Sequence, residues 1–188
     1  MLQELTWYSK PIRNVFYSDI HFRAYYGRNY QLSFNGGSGY VIYARNFSRP
    51  GDKVAYAMLG DSKIFLKHEG NFFKSSFKIY NAHTNTCIGF LRSYGFILNG
   101  INYNVSDTKR TMLNTKLPYD LRLDVDEAKA FPGIQLYMEM DRVNKKWHTS
   151  VYVEELTGKI VFQDDISYEL LLVTFFFLEK LIKRRTED

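Results

Sequence analysis

At 188 residues the chain is long enough to bury one substantial core, and 45% hydrophobic residues with 17% aromatics exclude an intrinsically disordered protein, so one domain spanning 1–188 is expected. Its 25 Lys and Arg against 20 Asp and Glu leave a formal charge of +5, a mild excess that suits solubility and lacks the basic stripe a nucleic-acid binder needs. A single cysteine, Cys87, excludes an internal disulfide and fits a reducing compartment; the Met1-Leu2-Gln3-Glu4-Leu5 start has neither the basic opening nor the apolar run of a secretory signal, so a cytoplasmic location is expected, peripheral at a membrane if it meets one.

Residues 1–30 mix aromatics with Arg13, Arg23 and Arg28 without clean periodicity, which predicts one or two short strands and irregular connections. Leu32 and Phe34 then alternate with polar neighbours, Asn35-Gly36-Gly37-Ser38-Gly39 turns the chain, and 40–47 reads as the returning strand. Glycines that cradle a phosphate lead into a helix N-terminus; no helical pattern follows here, so the loop is read as a hairpin turn. Arg49-Pro50-Gly51-Asp52 predicts a turn, 54–59 a strand, Gly60-Asp61-Ser62 a turn, and 64–67 a strand closed by a turn at His68-Glu69-Gly70-Asn71. Phe73, Ser75, Phe77 and Ile79 share one face of the next strand, while Phe72, Lys74, Ser76, Lys78 and Tyr80 share the other. Residues 81–86 form a polar loop and 87–92 return. Asn99-Gly100, between Phe96-Ile97-Leu98 and 101–105, is the sharpest hairpin signal, because both residues tolerate the positive φ of a two-residue turn.

Further on, Leu121, Leu123 and Val125 alternate, as do Ile134, Leu136, Met138 and Met140 against Gln135, Tyr137 and Glu139, which is the pattern of half-buried antiparallel strands. A turn is expected at 141–145, and 147–153 with 160–162 make the last strand pair, joined through 154–159. From Asp164 the period changes. Asp165 can cap a helix starting at Ile166, and Leu170, Leu171, Leu172 and Val173 followed by Phe175, Phe176, Phe177 and Leu178 cover every side of it. A helix apolar all round is buried all round, in protein or lipid. Spanning a membrane takes about 20 apolar residues, whereas Glu169 and Glu179-Lys180 bracket a far shorter run, so a core helix is preferred to a tail anchor and no transmembrane segment is expected. Ten to twelve short strands and one helix that needs enclosing predict a mainly β fold: a closed antiparallel β-barrel of about twelve strands around a hydrophobic C-terminal helix, with 165–185 as the central helix and its basic end.

Two strand-turn-strand units, 79–88 and 152–161, look alike, and the first runs on through Gly89-Phe90-Leu91-Arg92. With the closing Asp165-Ile166-Ser167-Tyr168-Glu169-Leu170-Leu171-Leu172 run, the last two-thirds of the chain resembles the tubby C-terminal-like superfamily, in particular its LURP-one-related and phospholipid-scramblase branches. The resemblance implies a twelve-stranded barrel threaded by its last helix. It further implies binding of phosphoinositide headgroups by a basic pocket, as in tubby domains, or an association with lipid movement and calcium, as in scramblases. The chain departs from both in lacking a Lys-x-Arg strand motif and a cysteine cluster.

The residues themselves offer little catalysis, and no catalytic residue or cofactor is assigned. Lys74 and Lys78 project from one side of a strand and Arg92 from the next, so the three could converge on a phosphate; an ordinary solvated face is the plainer reading. Lys183, Arg184 and Arg185, and Lys109-Arg110, could touch an anionic membrane, although cations at a helix C-terminus also complement its dipole. His83 and Cys87 alone have ligand-like spacing, too few for zinc, and Cys87 reads as a small apolar core residue. Asp124-Val125-Asp126-Glu127 lacks the glycine-turned loop of a calcium site, so no metal is expected. These observations point to a non-enzymatic binding or scaffolding module whose partner is an anionic phospholipid surface or a protein. The alternative, a small-molecule-binding or enzymatic barrel using its mouth, is disfavoured by aromatics that would fill the lumen.

Overall fold

The computed structural model describes residues 2–44, 50–71, 74–93, 95–107, 121–125, 137–142, 155–163 and 165–186. They form a mainly β fold, an antiparallel sheet with one C-terminal helix. The strands are β1 (Leu2–Tyr17), β2 (Phe22–Phe34), β3 (Gly37–Ala44), β4 (Lys53–Leu59), β5 (Ser62–Asn71), β6 (Lys74–Asn81), β7 (Cys87–Leu91), β8 (Gly95–Leu98), β9 (Ile101–Asp107), β10 (Leu121–Val125), β11 (Tyr137–Arg142) and β12 (Leu156–Gln163), followed by α1 (Tyr168–Thr186). Each strand pairs antiparallel with its successor, and β1 also pairs with β12, from Leu2 opposite Gln163 to Ser9 opposite Leu156. Among the described residues the β10 to β11 pairing is one residue pair, Leu121 opposite Met138. Tight turns give this order: Asn35-Gly36 and Asn99-Gly100 both take positive φ, the requirement of two-residue hairpins whose twist matches the strands.

The helix begins later than the sequence predicts. Ser167, not Asp165, caps it: the Leu170 N–H donates to Ser167 Oγ at 3.2 Å, and the Leu171 N–H to the Ser167 carbonyl at 3.3 Å. Serine wins because its short hydroxyl folds back onto the third helical amide, whereas Ile166 precedes the helix and is buried. Glu169, in the first turn, accepts from Asn81 Nδ2 (3.3 Å) and Asn99 Nδ2 (3.4 Å), which tie the helix start to the β6–β7 and β8–β9 turns. Residues 170–177 are all at most 2% exposed, as an all-round apolar surface demands. Phe175 meets Trp7 of β1 edge-on at 5.9 Å and Tyr30 of β2 at 5.3 Å, and Phe177 meets Phe96 of β8 at 6.3 Å. Thr174, the one polar residue in this run, donates from Oγ1 to the Leu170 carbonyl at 2.8 Å and so leaves no orphan hydroxyl in the core.

Three sequence expectations fail for identifiable reasons. Residues 1–30 hold the two longest strands, not short ones with irregular links. The β1–β2 hairpin serves two cores, and in β1 the buried positions change parity between Ser9 and Ile12. Leu5, Trp7, Tyr30 and Leu32 face the helix, whereas Ile12, Phe22 and Ala24 pack with Ile42 and Ala44 in a separate cluster. Between them stands Gly27, where a Cβ would lie 1.9 Å from the Tyr43 carbonyl oxygen, so only glycine lets β2 approach β3 there. His68-Glu69-Gly70-Asn71 is strand, not turn: it pairs with residues 74–77, and His68 stacks on Phe77 opposite it at 5.1 Å. Leu156 to Lys159 is strand as well, since Gly158 is paired on both sides, with Trp7 and with Met140; Thr-Gly-Lys resembles a turn only when neighbours are unknown. The expected strands at 134–136 and 147–153, the acidic residues Asp126 and Glu127, and Lys109-Arg110 lie outside the described residues.

Candidate anion-binding face

Register places lysines in a row. Lys53 of β4 is directly opposite Lys67 of β5, which is directly opposite Lys78 of β6, which in turn faces Phe90 of β7. Opposed side chains in an antiparallel sheet have Cβ atoms about 5 Å apart, and like charges so placed destabilise the pairing. The sheet offsets this locally. Lys53 Nζ sits 4.8 Å above the Phe65 ring and Lys67 Nζ 5.7 Å above Tyr80, while Phe65 and Tyr80 stack on each other at 5.1 Å, 3° from parallel. Each ammonium therefore lies over the negative face of a π-system that neighbouring aromatics hold in place. That stack also explains why Phe65, pointing away from the helix, is only 4% exposed.

Lys78 has a different partner. Its Nζ lies 2.5 Å from Glu69 Oε2, and Tyr80 Oη donates to Glu69 Oε1 at 2.5 Å. The hydrogen bonds from Lys78 and then Tyr80 hold the Glu69 carboxyl below the ordinary carboxylate range, and the bond to Glu69 raises both partners in return. Arg92 Nη1 donates to Asn102 Oδ1 at 3.2 Å, and its guanidinium covers Phe90 at 5.4 Å. Of the predicted trio, then, Lys78 and Arg92 lie on one face to either side of Phe90, Lys78 with its charge met by Glu69; the Lys74 backbone is in β6, its side chain outside the described part. Lys183, Arg184 and Arg185 continue α1, and no side chain beyond Phe177 belongs to the described part.

The sequence reading missed Lys53 and Lys67. The signal was present in the alternation Lys63, Phe65, Lys67, Glu69, a two-residue period that matches Lys78 and Tyr80 on the next strand. It was lost when 68–71 was read as a turn, which removed the register between them. Next to Lys53 the surface dips into a cleft of about 320 Å³ walled by His21, Arg23, Asp52 and Lys53, where the tip of the β1–β2 hairpin meets the start of β4. The basic row therefore continues across the cleft to Arg23.

Elsewhere, Cys87 is exposed rather than a core residue, since it faces outward on β7, and its Sγ is 3.5 Å from the Gly89 carbonyl. His83 Nε2 is 3.0 Å from the Asp61 carbonyl, in a turn organised by Asn81 Oδ1, which accepts from the His83 and Thr84 amides. Among the described residues no three His, Cys, Asp or Glu side chains gather as a metal site, and no helix is long and apolar enough to cross a membrane. Compared with known protein families, with curated proteins and with solved structures, the chain matches none.

Proposed function

We propose that this protein is a non-enzymatic binding module whose sheet closes into a twelve-stranded barrel around α1 and presents the lysine row to a phosphorylated, polyanionic headgroup. Closure is supported by the pairing of β1 with both β2 and β12 and by the burial of residues 170–177 on every side. One observation carries the functional reading: Lys53, Lys67 and Lys78 oppose one another on adjacent strands. A sheet that needed only solubility would alternate signs across such a row, and a phosphate group placed over it removes the repulsion while gaining charge-assisted hydrogen bonds. A headgroup of this kind belongs to the cytoplasmic leaflet, where the tubby-like resemblance would also place the protein, as a peripheral component.

Calorimetry with a soluble inositol polyphosphate tests this. Lys67→Ala is expected to weaken binding about tenfold and to flatten its dependence on salt, because one charge-assisted contact is lost. Glu69→Gln should bind about fivefold more tightly, since Lys78 is released from its partner. That gain has a defined pH range. Glu69 is held below the ordinary carboxylate value, so it stays ionised from neutral to mildly acid pH, and the ratio of variant to wild-type affinity should persist there. It should vanish only at pH below the ordinary carboxylate range, where the wild-type carboxyl is itself protonated. Absence of saturable binding, or equal affinity in Lys67→Ala, refutes the reading.

A further inference from the structure

The outward side of the sheet changes character between β6 and β7. A solvated antiparallel face carries polar side chains at every second position. On β5 and β6 that rule holds, with Lys67, Glu69, Ser76 and Lys78 facing out. The outward side chains of β7 and β8 are instead Cys87, Phe90 and Ile97, none of them charged or strongly polar. Register sets the two kinds side by side, because Lys78 is opposite Phe90 and Phe90 is opposite Ile97. Cys87 is exposed, Phe90 is 39% exposed and Ile97 is half-buried, so this strip meets solvent. Arg92, just past β7, holds its guanidinium 5.4 Å from the Phe90 ring centre. Glu69 is the single carboxylate among the described outward side chains of β4 to β8, and both Lys78 and Tyr80 bind it. One face therefore carries a basic strip and an apolar strip that touch along one edge.

We propose that the outer face of β4 to β8 docks on an anionic bilayer, with Phe90 and Ile97 at the acyl boundary while Lys53, Lys67 and Lys78 lie among the phosphates. The inference rests on the lysine row binding an anionic headgroup, and it adds the hydrocarbon side of the same contact. A free polyanion engages only the cations and gives the apolar strip no part. In a bilayer the phosphates and the first acyl carbons lie within about 5–10 Å of depth, so a face that bears both strips meets both at once. Charge favours the same partner, since three lysines oppose one another on adjacent strands and the face's one described carboxylate is already bound. A protein partner is disfavoured by area. The Phe90 and Ile97 side chains, partly covered as they are, expose on the order of 100 Å² of apolar surface, a small core for an interface that takes roughly 800 Å² from each partner. Single-stranded nucleic acid needs ring faces open for stacking, whereas Phe65 and Tyr80 are stacked on each other.

The test labels the full chain at Phe90→Cys, in a Cys87→Ser background, with an environment-sensitive fluorophore, and titrates vesicles of phosphatidylcholine alone or with about a third phosphatidylserine. Emission should rise and become quenchable by brominated acyl chains with anionic vesicles only. A label at Thr6→Cys, exposed on β1 on the far side of the strand order from β7, should not respond. In unlabelled protein, Phe90→Ser should weaken binding to anionic vesicles about tenfold and change inositol polyphosphate affinity less than about twofold, whereas Lys67→Ala should weaken both. Co-sedimentation with anionic vesicles without a response at position 90 overturns the docking face but not the lysine row. A quenchable response at position 90 in a protein that binds no inositol polyphosphate upholds the docking face and overturns the headgroup reading of the row. Equal responses at positions 90 and 6, or no response to either vesicle, overturn the proposal, and the second of these leaves the face to a protein partner.

Discussion

Phe176→Asp is expected to leave no folded protein. Phe176 is fully buried in the middle of a helix that neighbours cover on all sides, so the substitution removes a packed ring and puts a carboxylate where water cannot reach. Losing a buried phenyl side chain costs about 3–5 kcal/mol, and an uncompensated buried charge costs several more. Domains of this size have about 5–15 kcal/mol of stability in all. Phe176→Leu, which keeps the apolar volume approximately, should fold and melt somewhat below wild type. The measurement is a thermal melt followed by circular dichroism. A cooperatively melting, monomeric Phe176→Asp protein would mean that the helix is not inside.

The second large effect is expected from ending the chain at Asp164. The helix covers Trp7, Tyr30 and Phe96, whose rings contact Phe175 and Phe177 directly. Without it the sheet keeps its hydrogen bonds but exposes an apolar surface far larger than soluble monomers tolerate. The shortened chain should elute as aggregate in size exclusion without detergent, while the full chain elutes as a discrete species with one melting transition. If instead the shortened chain is monodisperse and the full chain needs detergent, α1 is a lipid anchor rather than a core.

The helix and the hairpin turns were legible because each is written in adjacent residues. Asn35-Gly36 and Asn99-Gly100 announce their own backbone angles, and no tertiary contact is needed to see that residues 170–177 have no polar face. The lengths of β1 and β2 and the lysine row were not legible in adjacent residues. A strand's side chains alternate by two whatever they face, so sequence shows that Lys63, Phe65, Lys67 and Glu69 share a side, but only register shows that Lys67 lies between Lys53 and Lys78. In β1 the buried positions Leu5, Trp7 and Ser9 are followed by Ile12, a change of parity that hides the strand's length. Arg28, next to Gly27, is in the sequence one of three arginines among aromatics; in the structure it is 1% exposed and donates from Nη1 to the buried Ser9 hydroxyl at 2.9 Å.

The pairing of β1 with β12 has a consequence for how the protein is made. During synthesis the first strand emerges from the ribosome with half of its partners missing, and residues 156–163 must be translated before its free edge is satisfied. The core comes later still, since residues 170–177 follow every strand. A nascent chain of this order carries an exposed edge and an unfilled apolar concavity throughout elongation, the two features that invite intermolecular pairing. Completion of this fold therefore waits for the helix, and the yield of native protein in a cell should depend on chaperones that shield the strands until it arrives.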